Sequence, residues 1–332
     1  MKVASLKSSG RDGELIVVSR DLKLAVKASY IVATLREAIE NWDEISPKLQ
    51  ELSDKLNKGK ASETFSFQSE KLAAPLPRAF QWCDGSAYLH HAELVRKARN
   101  AELTPELYSE PMLYQGGSDY FLGPNDDIEA VSESHGIDLE AEVAVITDDV
   151  PMGISPERAG DHIKLILLVN DVSLRNLIPQ ELAKGFGFFI SKPPTAFSPV
   201  AVTPDELGDA WDGGKVSLPI ISHVNGKLLG KPNAGIDLYF DFPRLISYAA
   251  TTRPLRAGTI VGSGTVSNRD LSTGSSCIQE KRMLEKIEFG EMRTPHLKFG
   301  DRVRIEMLNE KGESVFGAIE QQVKQYSKRS AP

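Results

Sequence analysis

Cysteine is almost absent from this sequence. Cys83 and Cys277 are the only two among 332 residues, too few for a disulfide framework and without the spacing of a zinc site. Such sparse use fits a reducing cytoplasm. Long apolar runs are missing as well. None approaches the ~18 residues that suggest a membrane-spanning helix, and the opening stretch "MKVASLKSSGRDGELIVVS" lacks the apolar core of a secretory signal. Nor is positive charge in excess: 39 Lys and Arg face 46 Asp and Glu, a net charge of −7. Nucleic-acid binding needs clustered cations that release counterions, and the one dense cluster, "RKAR" at Arg96–Arg99, is too short to supply them. Internal repeats and low-complexity segments are also absent. What is present, 41% hydrophobic and 26% charged residues, suits a globular protein of one large domain or a main domain with a smaller one.

Two short alternating runs, "ELIVVS" (14–19) and "LKLAVKA" (22–28), meet at Arg20-Asp21 and read as a hairpin. Apolar residues at Ile31, Leu35, Ala38, Ile39, Trp42 and Ile45 follow with helical spacing. Ser46-Pro47 is placed to cap and begin a second helix through Leu56. The polar stretch 57–70 reads as a linker, giving a small N-terminal α/β domain at 1–72 and a main domain at 73–332. The main domain is strand-rich, with β-like runs at 198–202, 215–224, 258–267, 301–308 and 313–323. Turn signals separate them at Asn225-Gly226, Gly300-Asp301 and "NEKG" (309–312). Short helices are expected at 85–100, 155–163, 204–210 and 242–251. The class is α+β, with a large mixed or mainly antiparallel sheet of barrel-like form.

Chemistry concentrates in "IDLEAEVAVI" (137–146), where Asp138, Glu140 and Glu142 alternate before an apolar run. Side chains two apart on a strand share a face. Three like charges there repel, and burying them unpaired is costly, so something positive is expected between them. Glu140 and Glu142 suit a hard divalent cation, which prefers oxygen ligands; the same alternation also marks a solvent-facing side. Asp171, ending the apolar run "IKLILLVN", and Asp84, in "QWCDGSAYLHH", are candidate further donors. Asp171 is equally placed for a turn or a helix cap. If the segment after Asp84 is helical, His91 falls seven residues on, near the same stripe.

These residues, with "DLEAEVAV" (138–145), "LVNDVSLR" (168–175), "SKPPTAFSP" (191–199) and "GTVSN" (264–268), resemble the fumarylacetoacetate hydrolase superfamily over about 75–325. The resemblance implies a mixed β-roll main domain and a small N-terminal domain. It implies one Mg²⁺ or Ca²⁺ per chain held by Asp84, Glu140, Glu142 and Asp171, with Asp138 just outside the ligand set and no organic cofactor. The water-activating histidine falls on His91, its orienting glutamate on Glu280, and the cations near substrate oxygens on Arg175 and Lys192. Tyr114, Thr265 and either Arg96 or Arg99 match softer substrate-contact positions. Where animal members carry a glutamine three residues after the arginine, this chain has Ile178, with Gln180 nearby.

The implied activity is hydrolysis of a C–C bond in a small anionic oxo-acid. Fumarylacetoacetate, an intermediate of tyrosine degradation, is the first choice. Acylpyruvate hydrolysis, oxaloacetate decarboxylation, and isomerisation or decarboxylation in aromatic catabolism are sibling activities on the same scaffold, and a non-catalytic, cation-stabilised protein is the alternative from another class. A homodimer is implied as well, with no nucleic-acid or membrane partner.

Overall fold

A computed structural model describes residues 1–8, 10–98 and 105–327. At its centre the strands Ala141–Thr147 and Ile163–Asn170 pair antiparallel, with Leu167 opposite Ala144 and Val169 opposite Glu142. Both are apolar on both faces, so each face needs a cover. Ala141, Val143, Val145, Ile166 and Leu168 enter one buried cluster; Ala144, Ile146, Leu165, Leu167 and Val169 enter another. The N-terminal helices Leu35–Glu40 and Trp42–Asn57 close the second cluster with Leu35, Ile39, Ile45, Leu49, Leu52 and Leu56. Leu35, Ile39 and Ile45 carry the helical spacing read from the sequence, and Leu49, Leu52 and Leu56 extend it along the second helix.

The large sheet runs in the order Phe65–Ser66, Leu24–Lys27, Glu14–Val18, Lys2–Leu6, Ala201–Val202, Ile163–Asn170, Ala141–Thr147, Ile260–Gly262, Trp82–Gly85, Leu113–Gly116. The strand Lys2–Leu6, not foreseen, pairs with the expected hairpin on one side and with Ala201–Val202 on the other. It thereby ties the N-terminal segment into the main sheet. Among the described residues the sheet stays open at both ends of this order, so the α+β class holds without a closed barrel. A second sheet orders Lys227–Gly230, Ile220–Val224, Arg302–Met307, Ile319–Gln325 and Ile128–Ala130. Its hairpin turns at Asn225-Gly226, both with positive φ, the geometry that selects Asn-Gly.

Several expected boundaries move. The second helix begins at Trp42, not at Ser46-Pro47, and carries Pro47 inside it. Pro47 and Asp43 are both exposed, so water can take the Asp43 carbonyl that a proline cannot serve. The supposed linker contains the edge strand Phe65–Ser66. The runs at 215–224 and 258–267 shorten to Ile220–Val224 and Ile260–Gly262, and the last strand shifts to Ile319–Gln325. Asp84 lies on the strand Trp82–Gly85, and the helix begins only at Leu89; Asp84 and His91 therefore do not share a helical stripe. Among the described residues no helix is long and apolar enough to cross a membrane.

Candidate active site and metal centre

The sheet registers that build the core also build the site. Ile146, Ala144 and Glu142 lie on one face of their strand, and pairing puts Val169 and then Asp171 on that same face. On the other side Ile260–Gly262 brings Trp82 and Asp84 into line. Three strand rows thus start apolar in the second cluster and end in a carboxylate. Oxygens of Asp84, Glu142 and Asp171 lie within 4.8 Å of one another, and all three residues are buried. Gly262 makes room for this: a Cβ there would stand 2.3 Å from Asp84 Oδ1 and 2.5 Å from the Trp82 ring. The backbone N–H of Gly264 donates to Asp84 Oδ1 at 3.0 Å.

The expected positive charge is present. Lys192 Nζ donates to Glu140 Oε2 at 2.6 Å and also to Asp171 Oδ2. Arg175 donates through Nε to Asp138 (2.9 Å) and through Nη2 to Glu140 (2.8 Å). Burial opposes ionisation of Glu140, but Arg175 and Lys192 outweigh it and hold that carboxyl well below the usual range. Ser173 and Thr265 hydroxyls also donate to Glu140, at 3.1 and 2.9 Å, so the four lone-pair positions of this carboxylate are taken. Asp171 accepts in addition from Tyr114 (2.6 Å) and Thr195 (2.9 Å).

Asp84 and Glu142 are served differently. Burial, reinforced by neighbouring carboxylates, pushes both well above the usual carboxylate range. Among the described residues neither oxygen of Glu142 has a hydrogen-bond partner, although both are buried. A buried acceptor without a donor is costly. An all-oxygen set with an orphaned carboxylate fits a hard divalent cation such as Mg²⁺, Ca²⁺ or Mn²⁺. Asp84, Glu142 and Asp171 form the compact part of that set. Glu140 joins it only by releasing one of its present partners.

Asp138, wholly buried, connects this centre to the helix Ile278–Phe289. It accepts from the backbone N–H of Ile278 (2.8 Å) and Gln279 (2.9 Å), at the positive end of the helix. The next residue, Glu280, is buried and accepts from His91 Nδ1 at 2.7 Å. This pair joins two helices, of which the sequence indicates only the first, within the helix expected at 85–100. A carboxylate on Nδ1 fixes the tautomer in which Nε2 is the free basic nitrogen.

One cavity of about 660 Å³ is lined by Asp84, Glu140, Glu142, His91, Arg175 and Lys192. Arg175 and Lys192 therefore face the site, but their hydrogen bonds go to its carboxylates. Tyr114 and Thr265 also line it while bonded to Asp171 and Glu140. Gln180 is exposed and off this wall; Ile178 is on it, together with Gln279. Arg99 and the Arg96 side chain lie outside the described residues. Reading the sequence missed Arg282, Lys286 and His296 as cavity residues. The i, i+4 spacing of Arg282 and Lys286 was the available signal, but it needed the helix to be seen first.

Known families and solved structures resemble this chain over nearly its whole length. A family model described as "Fumarylacetoacetate (FAA) hydrolase C-terminal" matches residues 81–324, and one described as "Fumarylacetoacetase N-terminal domain 2" matches 1–78. The oxaloacetate tautomerase YisK of Bacillus subtilis is 28% identical over 262 residues, 77% of this chain and 83% of that protein. The fumarylacetoacetate hydrolase structure from Exiguobacterium antarcticum superposes with a TM-score of 0.67 at 19% identity, covering 98% of this chain and all of that one. The maleylpyruvate hydrolase of Sphingobium sp. SYK-6, solved with manganese(II) and pyruvate, gives 0.66 at 16% identity, again covering 98% of this chain and all of that one. The chain belongs to the fumarylacetoacetate hydrolase family, whose members are enzymes.

Proposed function

We propose that this chain is a divalent-metal-dependent hydrolase of a C–C bond in β-dicarbonyl oxo-acids, with fumarylacetoacetate, cleaved to fumarate and acetoacetate, as its substrate. The observation that carries the reading is the 2.7 Å His91–Glu280 pair in the wall of a cavity that also holds the buried carboxylate cluster. Asp84, Glu142 and Asp171, with Glu140, would hold the ion, which when bound supplies Lewis-acid polarisation of the substrate's oxo groups. His91 Nε2 takes a proton from water as the water oxygen attacks the carbonyl carbon. Glu280 stabilises the resulting imidazolium and keeps the ring oriented. Cleavage of the C–C bond releases a carboxylic acid and an enolate, and the proton held on His91 returns to the enolate carbon. Arg175 and Lys192 hold the carboxylates in place and add positive charge to the wall where negative charge develops. A small anionic substrate and a homodimeric assembly belong to the same reading; light scattering tests the second.

A second reading, keto–enol tautomerisation of oxaloacetate, is favoured by the similarity to YisK. The same pair moves a proton between carbon and oxygen without water. A panel of fumarylacetoacetate, acylpyruvates and oxaloacetate, assayed with Mg²⁺ and with Mn²⁺, separates the two. Two products formed with uptake of one water indicate hydrolysis, loss of CO₂ indicates decarboxylation, and interconversion alone indicates tautomerisation. His91→Ala is expected to lower turnover by about 10²–10⁴-fold while calorimetry still shows Mg²⁺ binding. An unimpaired His91→Ala enzyme removes the pair from the mechanism.

A further inference from the structure

The helix Ile278–Phe289 contributes Gln279, Arg282, Met283 and Lys286 to the cavity wall. That spacing, i, i+3, i+4, i+7, is one helical stripe. In most helices it is apolar; here half of it is cationic. No described carboxylate comes within 4.0 Å of Arg282 or Lys286, whereas Arg175 and Lys192 each bridge two. Arg282 gives Nη1 to the Thr294 carbonyl, but its buried Nε has no partner among the described residues. Lys286 lies in the last turn of the helix, where the dipole favours a cation, yet it lines the cavity. The rise of an α-helix puts Lys286 about 9 Å farther along the axis than Glu280, with Arg282 between them. Apolar Val95, Ile178, Leu182 and Met292 share the wall.

We propose that Arg282 and Lys286 form an anion subsite that selects substrates with a second carboxylate, remote from the oxo-acid end and separated from it by a largely apolar chain. This rests on the oxo-acid reading above and deepens it. Lys192 and Arg175 are already engaged by the site's own carboxylates, so among the described residues a second substrate carboxylate finds unengaged counter-charge farther along the helix, at Arg282 and Lys286. A guanidinium with an unused N–H is the donor such a group prefers. Half-buried His296 shares this wall and adds no carboxylate to it; burial holds its imidazole below the ordinary range, with Asp138 opposing and Arg282 and Arg175 reinforcing the shift.

The test uses Mg²⁺-loaded protein and two unreactive probes of equal length, 2-oxoheptanedioate and 2-oxoheptanoate, with dissociation constants from calorimetry. The dianion is expected to bind ~10-fold tighter or more, the worth of a charge-assisted hydrogen bond. Lys286→Met, which breaks no hydrogen bond of the fold, should reduce that ratio several-fold, and Arg282→Met should do likewise. Lys281→Met, exposed on the same helix and off the cavity, should keep it. A wild-type protein that does not discriminate, or a ratio that survives in both cavity variants, overturns the subsite. If 2-oxoheptanoate binds and the ratio is unity, only the subsite fails. If neither probe binds, the oxo-acid reading fails and takes the subsite with it.

Discussion

The cavity has two unlike walls. On the strand wall, Lys192 and Arg175 are matched to Asp138, Glu140 and Asp171 through short hydrogen bonds. On the helix wall, Arg282 and Lys286 stand without a carboxylate partner among the described residues. The strand wall is consistent with a site preorganised around charge that is always there. The helix wall is consistent with one that waits for charge to arrive. Preorganised groups cost stability when a member is removed; waiting groups cost selectivity instead. The two walls should therefore respond to mutation in different measurements.

The largest effect should come from breaking the strand wall at its bridge. The Lys192 side chain is only 8% exposed, and although that burial opposes its charge, Asp171 and Glu140 outweigh it and raise its basicity. Lys192→Met keeps the bulk and removes the charge, leaving two buried carboxylates sharing less compensation. A loss of about 3–5 kcal/mol is expected in metal-free protein, read from denaturant unfolding, with a smaller loss when Mg²⁺ is present. Turnover should drop by ~10²-fold or more. A variant as stable as the parent without metal would show that the bridge carries little, and the contrast between the walls would disappear.

The same contrast explains what could be read from the sequence. Glu140, Glu142 and Asp171 were visible because strand periodicity is two and an apolar run announces each strand. Lys192 and Arg175 were placed only through resemblance, since nothing in "SKPP" or "SLRN" says where a long side chain ends. The helix Ile278–Phe289 was not visible. It buries only Ile278, Glu280 and Met283, because its cavity stripe is largely polar where an ordinary helix would be apolar, so the periodic signal is weak. The strand Lys2–Leu6 escaped for a different reason. Its five residues mix apolar and polar side chains, and its place is fixed by partners near residues 17 and 202. Pairing at that range overrides local propensity.

An intermediate effect is expected at Gly262, which belongs to the strand wall but carries no charge. A Cβ there would meet Asp84 Oδ1 at 2.3 Å and the Trp82 ring at 2.5 Å. Trp82 is fully buried and packs edge-on against Phe197, so it has little freedom to yield. Gly262→Ala should cost about 1–3 kcal/mol of stability, the usual range for overpacking, and weaken Mg²⁺ affinity by displacing Asp84. Thermal unfolding and metal calorimetry check both. Unchanged metal affinity would mean that Trp82 moves and Asp84 stays, making the glycine a matter of packing alone.

The smallest effect concerns the segment between the walls. Ile178, Leu182 and Phe188 line the cavity, and Glu181 ties the chain around them. Its carboxylate accepts the backbone N–H groups of Phe189, Ile190 and Ser191 at 2.8–3.2 Å. Burial works against the charged form, but the hydrogen bonds from Ser191, Phe189 and Ile190 outweigh it and bring the carboxyl from 4.5 down to about 2. A folded-state value below the unfolded one means that ionised Glu181 stabilises this segment above the ordinary carboxylate range. That contribution should be lost as pH falls from about 4.5 toward 2. Phe186 and Phe189 beside it are almost fully exposed, so little apolar burial compensates for losing the hydrogen bonds, and the change should stay local. Amide hydrogen exchange at residues 189–191, corrected for intrinsic rates, should show protection falling through that window while the strand Ala141–Thr147 keeps its protection. In Glu181→Gln the same amides should be less protected at neutral pH and show no step at low pH. A step of equal size in Glu181→Gln would assign the titration to another group and leave Glu181 as one hydrogen-bond acceptor among others.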